Sequence, residues 1–313
     1  MRYFLSCLFL FFSSCLNAST LNKFVVFGDS LSDNGNLYEY MKHQLPISPP
    51  YYEGRFTNGP VWIEKLAEHY YGDETNAHLF DYAFGGSGVS ESDDEEDDDF
   101  ETGALFNLKR EVDSYLLSHH ERADDQALFV MWMGSNNYIA LPDDPQKTIL
   151  AVNDGIQKEI ERLVAHGGKH FMVLTVPDLG RTPGAIEFDS VSFLTNLTND
   201  HNAMIKSRVE LLQAKYPDVE WIFFDVNQIF LSALDNPGYY GFHNTTETCY
   251  ESAMVQPSSK TVLKMAASIQ PKMNPSACDG YLFFDIIHPT ARAHGYIADE
   301  AYRLLQDSNI EFQ

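Results

Sequence analysis

The sequence predicts an α/β fold with a parallel sheet between helical layers, and two patterns carry that expectation. Several short runs are apolar throughout instead of alternating, and the stretches between them bear a single apolar stripe at helical spacing. A strand that is apolar on both faces must be covered on both faces. Helical crossovers between parallel strands supply that cover.

The first run, Lys23 to Phe27, ends at Gly28. Ala127 to Met133, Phe171 to Val176 and Trp221 to Val226 repeat it, and each is too short for a core helix. Between them, Ile149, Val152, Ile156, Ile160 and Leu163 fall at steps of three and four, as do Ile205, Val209, Leu212 and Tyr216. Leu105, Leu108, Val112 and Tyr115 do the same. Each set occupies one helix face. No internal repeat or linker interrupts residues 19–313, so one domain is expected there.

Composition sets outer bounds. The chain has 313 residues, 44% apolar and 21% charged, enough for a large core and too apolar for disorder. Lys and Arg number 21 against 45 Asp and Glu, a net charge of −24. Such a surface repels phosphate backbones, which excludes nucleic acid as an expected partner, and gives no pull toward anionic headgroups.

Residues 1–18 read as a signal peptide. Arg2 is basic, Phe4 to Phe12 is almost wholly apolar, and Leu16-Asn17-Ala18 resembles a cleavage site. The run is too short to span a bilayer, and no other stretch approaches that length, so no transmembrane anchor is expected. A buried N-terminal helix and lipid attachment at Cys15 fit this pattern less well. Cleavage removes Cys7 and Cys15 and leaves Cys249 and Cys278. In an oxidising compartment this pair can bridge, closing a loop of about 30 residues. Neither cysteine has metal-site spacing, and two ligands alone would not hold zinc.

Two segments break the alternation. Glu91 to Asp99 holds eight acidic residues in nine positions and reads as a solvated loop, with calcium binding as the alternative. Asn236 to Gly280, rich in Tyr, Ser and Pro, reads as a surface excursion. Asn196-Leu197-Thr198 and Asn244-Thr245-Thr246 match the N-glycosylation acceptor pattern.

In open parallel sheets, sites form at the carboxyl ends of strands. Gly28-Asp29-Ser30 follows the first run, where a sharp turn would expose Ser30. Gly134-Ser135-Asn136-Asn137 follows the run ending at Met133. Tyr281 to Phe284 leads into Asp285-Ile286-Ile287-His288. Asp285 and His288, three apart, can face the same way, so Asp285 can orient an imidazole that deprotonates Ser30. The N–H of Gly86, in Gly85-Gly86-Ser87-Gly88, and the Asn136 amide suit an oxyanion. No G-x-S-x-G elbow is present, which excludes the α/β-hydrolase pattern.

These segments together resemble the four blocks of the GDSL (SGNH) lipase and esterase family. Phe27 to Asn36 is similar to its first block, Asp81 to Gly86 to its second, Gly134 to Asn137 to its third and Asp285 to Pro289 to its last. The family initials then fall on Ser30, Gly86, Asn136 and His288. Asn137 stands where the family usually has Asp, and Asp81 where it usually has Asn. Tyr51 to Trp62 and Val176 to Pro183 are similar to an exported phospholipase branch. That branch includes bacterial glycerophospholipid:cholesterol acyltransferases, thermolabile haemolysins and secreted lysophospholipases A.

The resemblance implies a flavodoxin-like three-layer α/β/α fold, no cofactor, a catalytic Ser30–His288–Asp285 set, and an oxyanion hole of Ser30, Gly86 and Asn136. It implies a secreted serine esterase for (lyso)phospholipids. Lysophospholipase A is the favoured activity, with phospholipase A and transfer to a sterol acceptor beside it. The segment closed by Cys249 and Cys278 sits where those acyltransferases are cut by an activating protease. Two other readings stand beside this one. The first is a short-chain or carbohydrate acetylesterase using the same residues; the second is a non-catalytic acidic calcium-binding surface protein. Aromatics within Tyr38 to Tyr52 or Asn236 to Tyr250 are candidates to line an acyl groove.

Overall fold

The computed structural model describes residues 19–90, 106–250, 278–308 and 310–313. The proposed signal peptide, the acidic run Glu91 to Asp99 and the stripe position Leu105 lie outside the described residues. In chain order the elements begin with β1 (Ser19–Leu21), β2 (Lys23–Gly28), α1 (Asn36–Tyr40), α2 (Trp62–Tyr71), α3 (Thr75–His78) and β3 (Leu79–Asp81). They continue with α4 (Leu108–Ser118), β4 (Ala127–Trp132), α5 (Ser135–Ile139), α6 (Pro145–Ala165), β5 (His170–Leu174) and α7 (Pro183–Glu187). Next come α8 (Val191–Lys215), β6 (Glu220–Phe224), α9 (Val226–Asp235), β7 (Asn244–Thr248), β8 (Tyr281–Phe283), α10 (Ala291–Asp307) and β9 (Ile310–Phe312).

The central sheet has five parallel strands in the order β3-β2-β4-β5-β6. Counting only these strands, the order is 2-1-3-4-5, the flavodoxin-like arrangement, and the chain reverses direction across the sheet between β2 and β4. The strand patterns follow from this. Val25, Phe27, Phe129, Met131, Phe171 and Val173 enter one core with α4, α6 and α8. Phe24, Val26, Leu128, Val130, Met172 and Leu174 enter the other with α2 and α10. Side chains alternate between faces, and because both faces are covered the strands read as unbroken apolar runs. Asn107 caps α4 and Asp144 caps α6, each accepting from the backbone N–H three residues on.

Two expectations are modified. The run at Tyr281 does not join the central sheet, because β8 pairs in parallel with β7 in a separate two-stranded sheet. Part of the Asn236–Gly280 stretch is core. Cys249 and Cys278 are disulfide-bonded, and with Tyr250 they pack against Leu37, Tyr51, Phe56 and Phe284. Phe242 of the same segment is buried in another cluster, with Leu282 and Phe283. Of the two acceptor motifs, Thr198 is wholly buried and its hydroxyl accepts from Leu179 N–H, so Asn196 belongs to a packed helix.

Phe129 sits at the middle of the sheet between Tyr115 and Phe171 and is wholly buried. Phe129→Ala should destabilise the protein by about 3–5 kcal/mol, read by denaturant unfolding. A loss below 1 kcal/mol would mean that the core on this face is not as described.

Candidate active site

β2 ends at the point where the sheet reverses direction, so the turn after it faces an open crevice. Asp29 closes that turn: its carbonyl accepts from Ser32 and Asp33 N–H, and its Oδ1 accepts from Leu31 N–H. Ser30 is thereby held at the carboxyl edge of the sheet. From the opposite end of the chain, β8 delivers the loop Asp285 to His288. Asp285 Oδ1 accepts from the N–H groups of Ile287 and His288, a tight side-chain-to-backbone turn.

These two turns meet. His288 Nε2 lies 2.9 Å from Ser30 Oγ, and its Nδ1 lies 2.7 Å from Asp285 Oδ2. All three residues are buried. Tyr51 O–H donates to the same Asp285 Oδ2 at 2.7 Å. Burial opposes the Asp285 charge, but His288 and these hydrogen bonds hold its pKa below the ordinary carboxylate value. An ionised Asp285 fixes the tautomer that leaves His288 Nε2 free to accept the serine proton.

The two remaining expected site residues follow β3 and β4. Gly86 has φ +83, a left-handed conformation that favours glycine, and its N–H has no acceptor among the described residues. The same holds for Ser30 N–H. Asn136 opens α5 and donates through Nδ2 to Ser87 O at 2.7 Å, leaving its second amide hydrogen available. Ser30, Asn136 and His288 line one cleft. Three unspent donors beside a serine hydroxyl can stabilise an oxyanion.

Several positioning residues escaped the sequence reading. Asp33 accepts from four backbone N–H groups, those of Gly35, Asn36, Leu37 and Gly85, and so ties the serine turn to the Gly86 loop. Glu111 accepts from Gly28 N–H and from Ser87 O–H, joining the same two segments from below. Burial pushes the Glu111 pKa well above its ordinary value. Its position on the apolar stripe of α4 was the available signal. Asn137 donates to Val89 O and accepts from Val89 N–H, a two-way clamp on the Gly86–Val89 loop. A carboxylate in its place has no donor for Val89 O, which gives the unusual asparagine a physical reason. Gly88 lies under this clamp, where a Cβ would stand 2.9 Å from Asn137 Oδ1. Tyr138 O–H donates to Nδ1 of buried His201 and pins α5 from behind. Burial pushes His201 down to about 3, which keeps it neutral.

The cleft has a volume of about 800 Å³ including its mouth. Its far walls are Ile229, Phe230, Phe242, Phe283 and Tyr296. Of the aromatics expected there, Phe242 lies on the wall, whereas Tyr51 instead supports Asp285. Among the described residues there is no cluster of three or more His, Cys, Asp or Glu able to hold a metal.

A parallel α/β sheet carrying a Ser–His–Asp hydrogen-bond chain at its switch point defines an enzyme of the serine hydrolase type. Residues 24–301 match the GDSL-like lipase/acylhydrolase family, and the chain belongs to it. A phosphatidylcholine-sterol acyltransferase from Aeromonas hydrophila is 29% identical across 93% of this chain and 92% of its own. Secreted effector protein SseJ from Salmonella typhimurium is 30% identical across 89% of this chain and 62% of its own length. Among solved structures, a carbohydrate acetylesterase from Sinorhizobium meliloti covers 91% of this chain and 99% of its own, at 14% identity and TM-score 0.49.

Two outcomes follow from the buried carboxylates. Burial pushes Asp29 up to about 6 from 3.8. The folded state then holds this proton more tightly than the unfolded chain, so its contribution to stability is lost as pH rises through that window. Asp29→Asn should melt above wild type at pH 7, by an amount equivalent to roughly 1–3 kcal/mol, and the gap should close by pH 4. A gap independent of pH contradicts the assignment. Tyr51→Phe removes one donor from Asp285 and should lower kcat about tenfold with KM unchanged. An unaltered kcat would leave Tyr51 a packing role alone.

Proposed function

We propose that this enzyme is an exported serine esterase that cleaves fatty-acyl esters of phospholipids and lysophospholipids through an acyl-enzyme. The observation that carries this reading is the apolar cleft opening directly on Ser30 and His288. Burying a methylene is worth about 0.8 kcal/mol, so a long acyl chain gains several kcal/mol there that an acetyl group forgoes. The acetylesterase reading leaves those walls without a use. Arg181 is exposed and makes no side-chain hydrogen bond or ion pair among the described residues. It adjoins Thr182 on the cleft wall. An uncommitted cation there suits a lipid phosphate in an otherwise strongly anionic protein.

The chemistry follows from the geometry. His288 Nε2 accepts the Ser30 proton while Ser30 Oγ attacks the acyl carbonyl. The Ser30 and Gly86 N–H groups and the Asn136 amide hold the resulting oxyanion. On collapse, His288 protonates the departing glycerol oxygen. Water then enters, gives its proton to His288 and attacks the acyl carbonyl; as the ester bond breaks, His288 returns that proton to Ser30 Oγ and the fatty acid leaves. A sterol hydroxyl entering instead would yield a sterol ester. The Cys249–Cys278 bond and the N-terminal sequence support export, with residues 1–18 removed.

The test is fatty-acid release from lysophosphatidylcholine and phosphatidylcholine, with cholesterol present and absent, alongside aryl esters from acetyl to palmitoyl. Wild type should prefer long chains, and Ser30→Ala should lose activity by at least 10³-fold while keeping its Tm. Full activity in Ser30→Ala removes the catalytic assignment; an optimum at acetyl favours the carbohydrate acetylesterase reading.

A further inference from the structure

A second apolar groove adjoins the first. It has a volume of about 850 Å³ including its mouth and is walled by Leu141, Ala185, Phe188, Leu194 and Ile286. The two grooves share Ile139, Thr182 and Ile287. Those residues border the reacting atoms: Ile139 closes the short helix that begins beside Asn136, and Ile287 precedes His288. The two grooves are therefore neighbours that share part of a wall, and one shared residue, Ile287, is next to His288 in the chain.

The second limb is built into the catalytic loop. Gly184 N–H donates to Ile286 O at 2.8 Å, so α7 is bonded to the backbone between Asp285 and His288. A Cβ on Gly184 would stand 3.1 Å from that oxygen, which keeps the two segments in close contact. Residues on the same α7–α8 segment are apolar and exposed: Ile186 at 54%, Val191 at 38% and Phe193 at 37%. The outer end of this limb thus adjoins apolar side chains already directed to solvent. A chain drawn from a lipid aggregate crosses such a surface with little exposure to water.

We propose that the α7 groove is a subsite for the second hydrocarbon chain of a two-chained glycerophospholipid, the chain that is not being cleaved. The inference rests on the phospholipid reading above and adds to it which wall recognises which limb. In a diacyl lipid the two chains diverge from neighbouring glycerol carbons, so both limbs must begin near the scissile ester. Two grooves that share the wall residues Ile139, Thr182 and Ile287, the last beside His288, suit that requirement. A lysophospholipid fills only the limb walled by Phe230 and Phe242.

The experiment compares dipalmitoylphosphatidylcholine with palmitoyl-lysophosphatidylcholine in the same non-ionic detergent micelles, using wild type and Phe188→Glu. Phe188 is half-buried at the groove wall, so a carboxylate there remains near water yet opposes an apolar chain. The expected result is at least a tenfold loss of kcat/KM on the diacyl lipid, with the lysolipid and p-nitrophenyl butyrate within twofold of wild type. If Phe188→Glu does not fold, Phe188→Ala serves, with a threefold or greater rise in KM confined to the diacyl lipid. Equal losses on both lipids, or none on either, overturn the subsite. So does a variant that loses only sterol ester formation, which would place the acceptor alcohol in this groove. Wild-type turnover of lysolipid without diacyl turnover overturns the subsite alone. Turnover of neither lipid overturns the phospholipid reading and the subsite with it.

Discussion

The contact between Ser30 Oγ and His288 Nε2 joins positions 258 residues apart, and the rest of the molecule is arranged around it. One partner leaves the first strand of the central sheet, while the other arrives just before the last long helix. Each turn closes on its own aspartate, Asp29 or Asp285, through bonds within the short loop. The sheet supplies a rigid edge, and the reversal of strand order between the parallel strands β2 and β4 supplies the open space.

Beneath that contact lies an unusual density of buried carboxylates. Asp29, Asp33, Asp285 and Glu111 are each no more than 3% exposed. Burying so many acids is costly unless each is hydrogen-bonded, and each is. Their acceptors are spent on backbone N–H groups of the serine turn, the glycine loop and the histidine loop. Carboxyl oxygens are thus used as a fastening device for irregular backbone, which has no ladder of its own to satisfy its donors. Among the described residues, the N–H groups of Ser30 and Gly86 and one Asn136 amide hydrogen are left without an acceptor.

Much of this was legible in the sequence, for identifiable reasons. Unbroken apolar runs such as Ala127 to Trp132 encode a strand covered on both sides, so the layered sheet could be read directly. The Gly28-Asp29-Ser30 and Asp285-to-His288 segments carried the reacting groups because their residue types are dictated by chemistry. The fastening residues were hidden, because Glu111 and Tyr51 act on partners that are distant in sequence, and Asp33 reaches Gly85 besides closing its own turn. Strand β3, only three residues long, has too little pattern to announce itself. The partial burial of the Tyr-rich segment was equally invisible, since it depends on the Cys249–Cys278 closure bringing Tyr250 against Phe284.

The hydrogen-bonded serine and histidine are tested most directly by covalent labelling. A fluorophosphonate needs a serine activated by a neighbouring base, and its product marks the residue that carried out the attack. Labelled protein, digested and sequenced by mass spectrometry, should carry one phosphonate, on Ser30, and the label should disappear in His288→Ala. Labelling at another residue, or undiminished labelling of Ser30 without His288, would contradict the account.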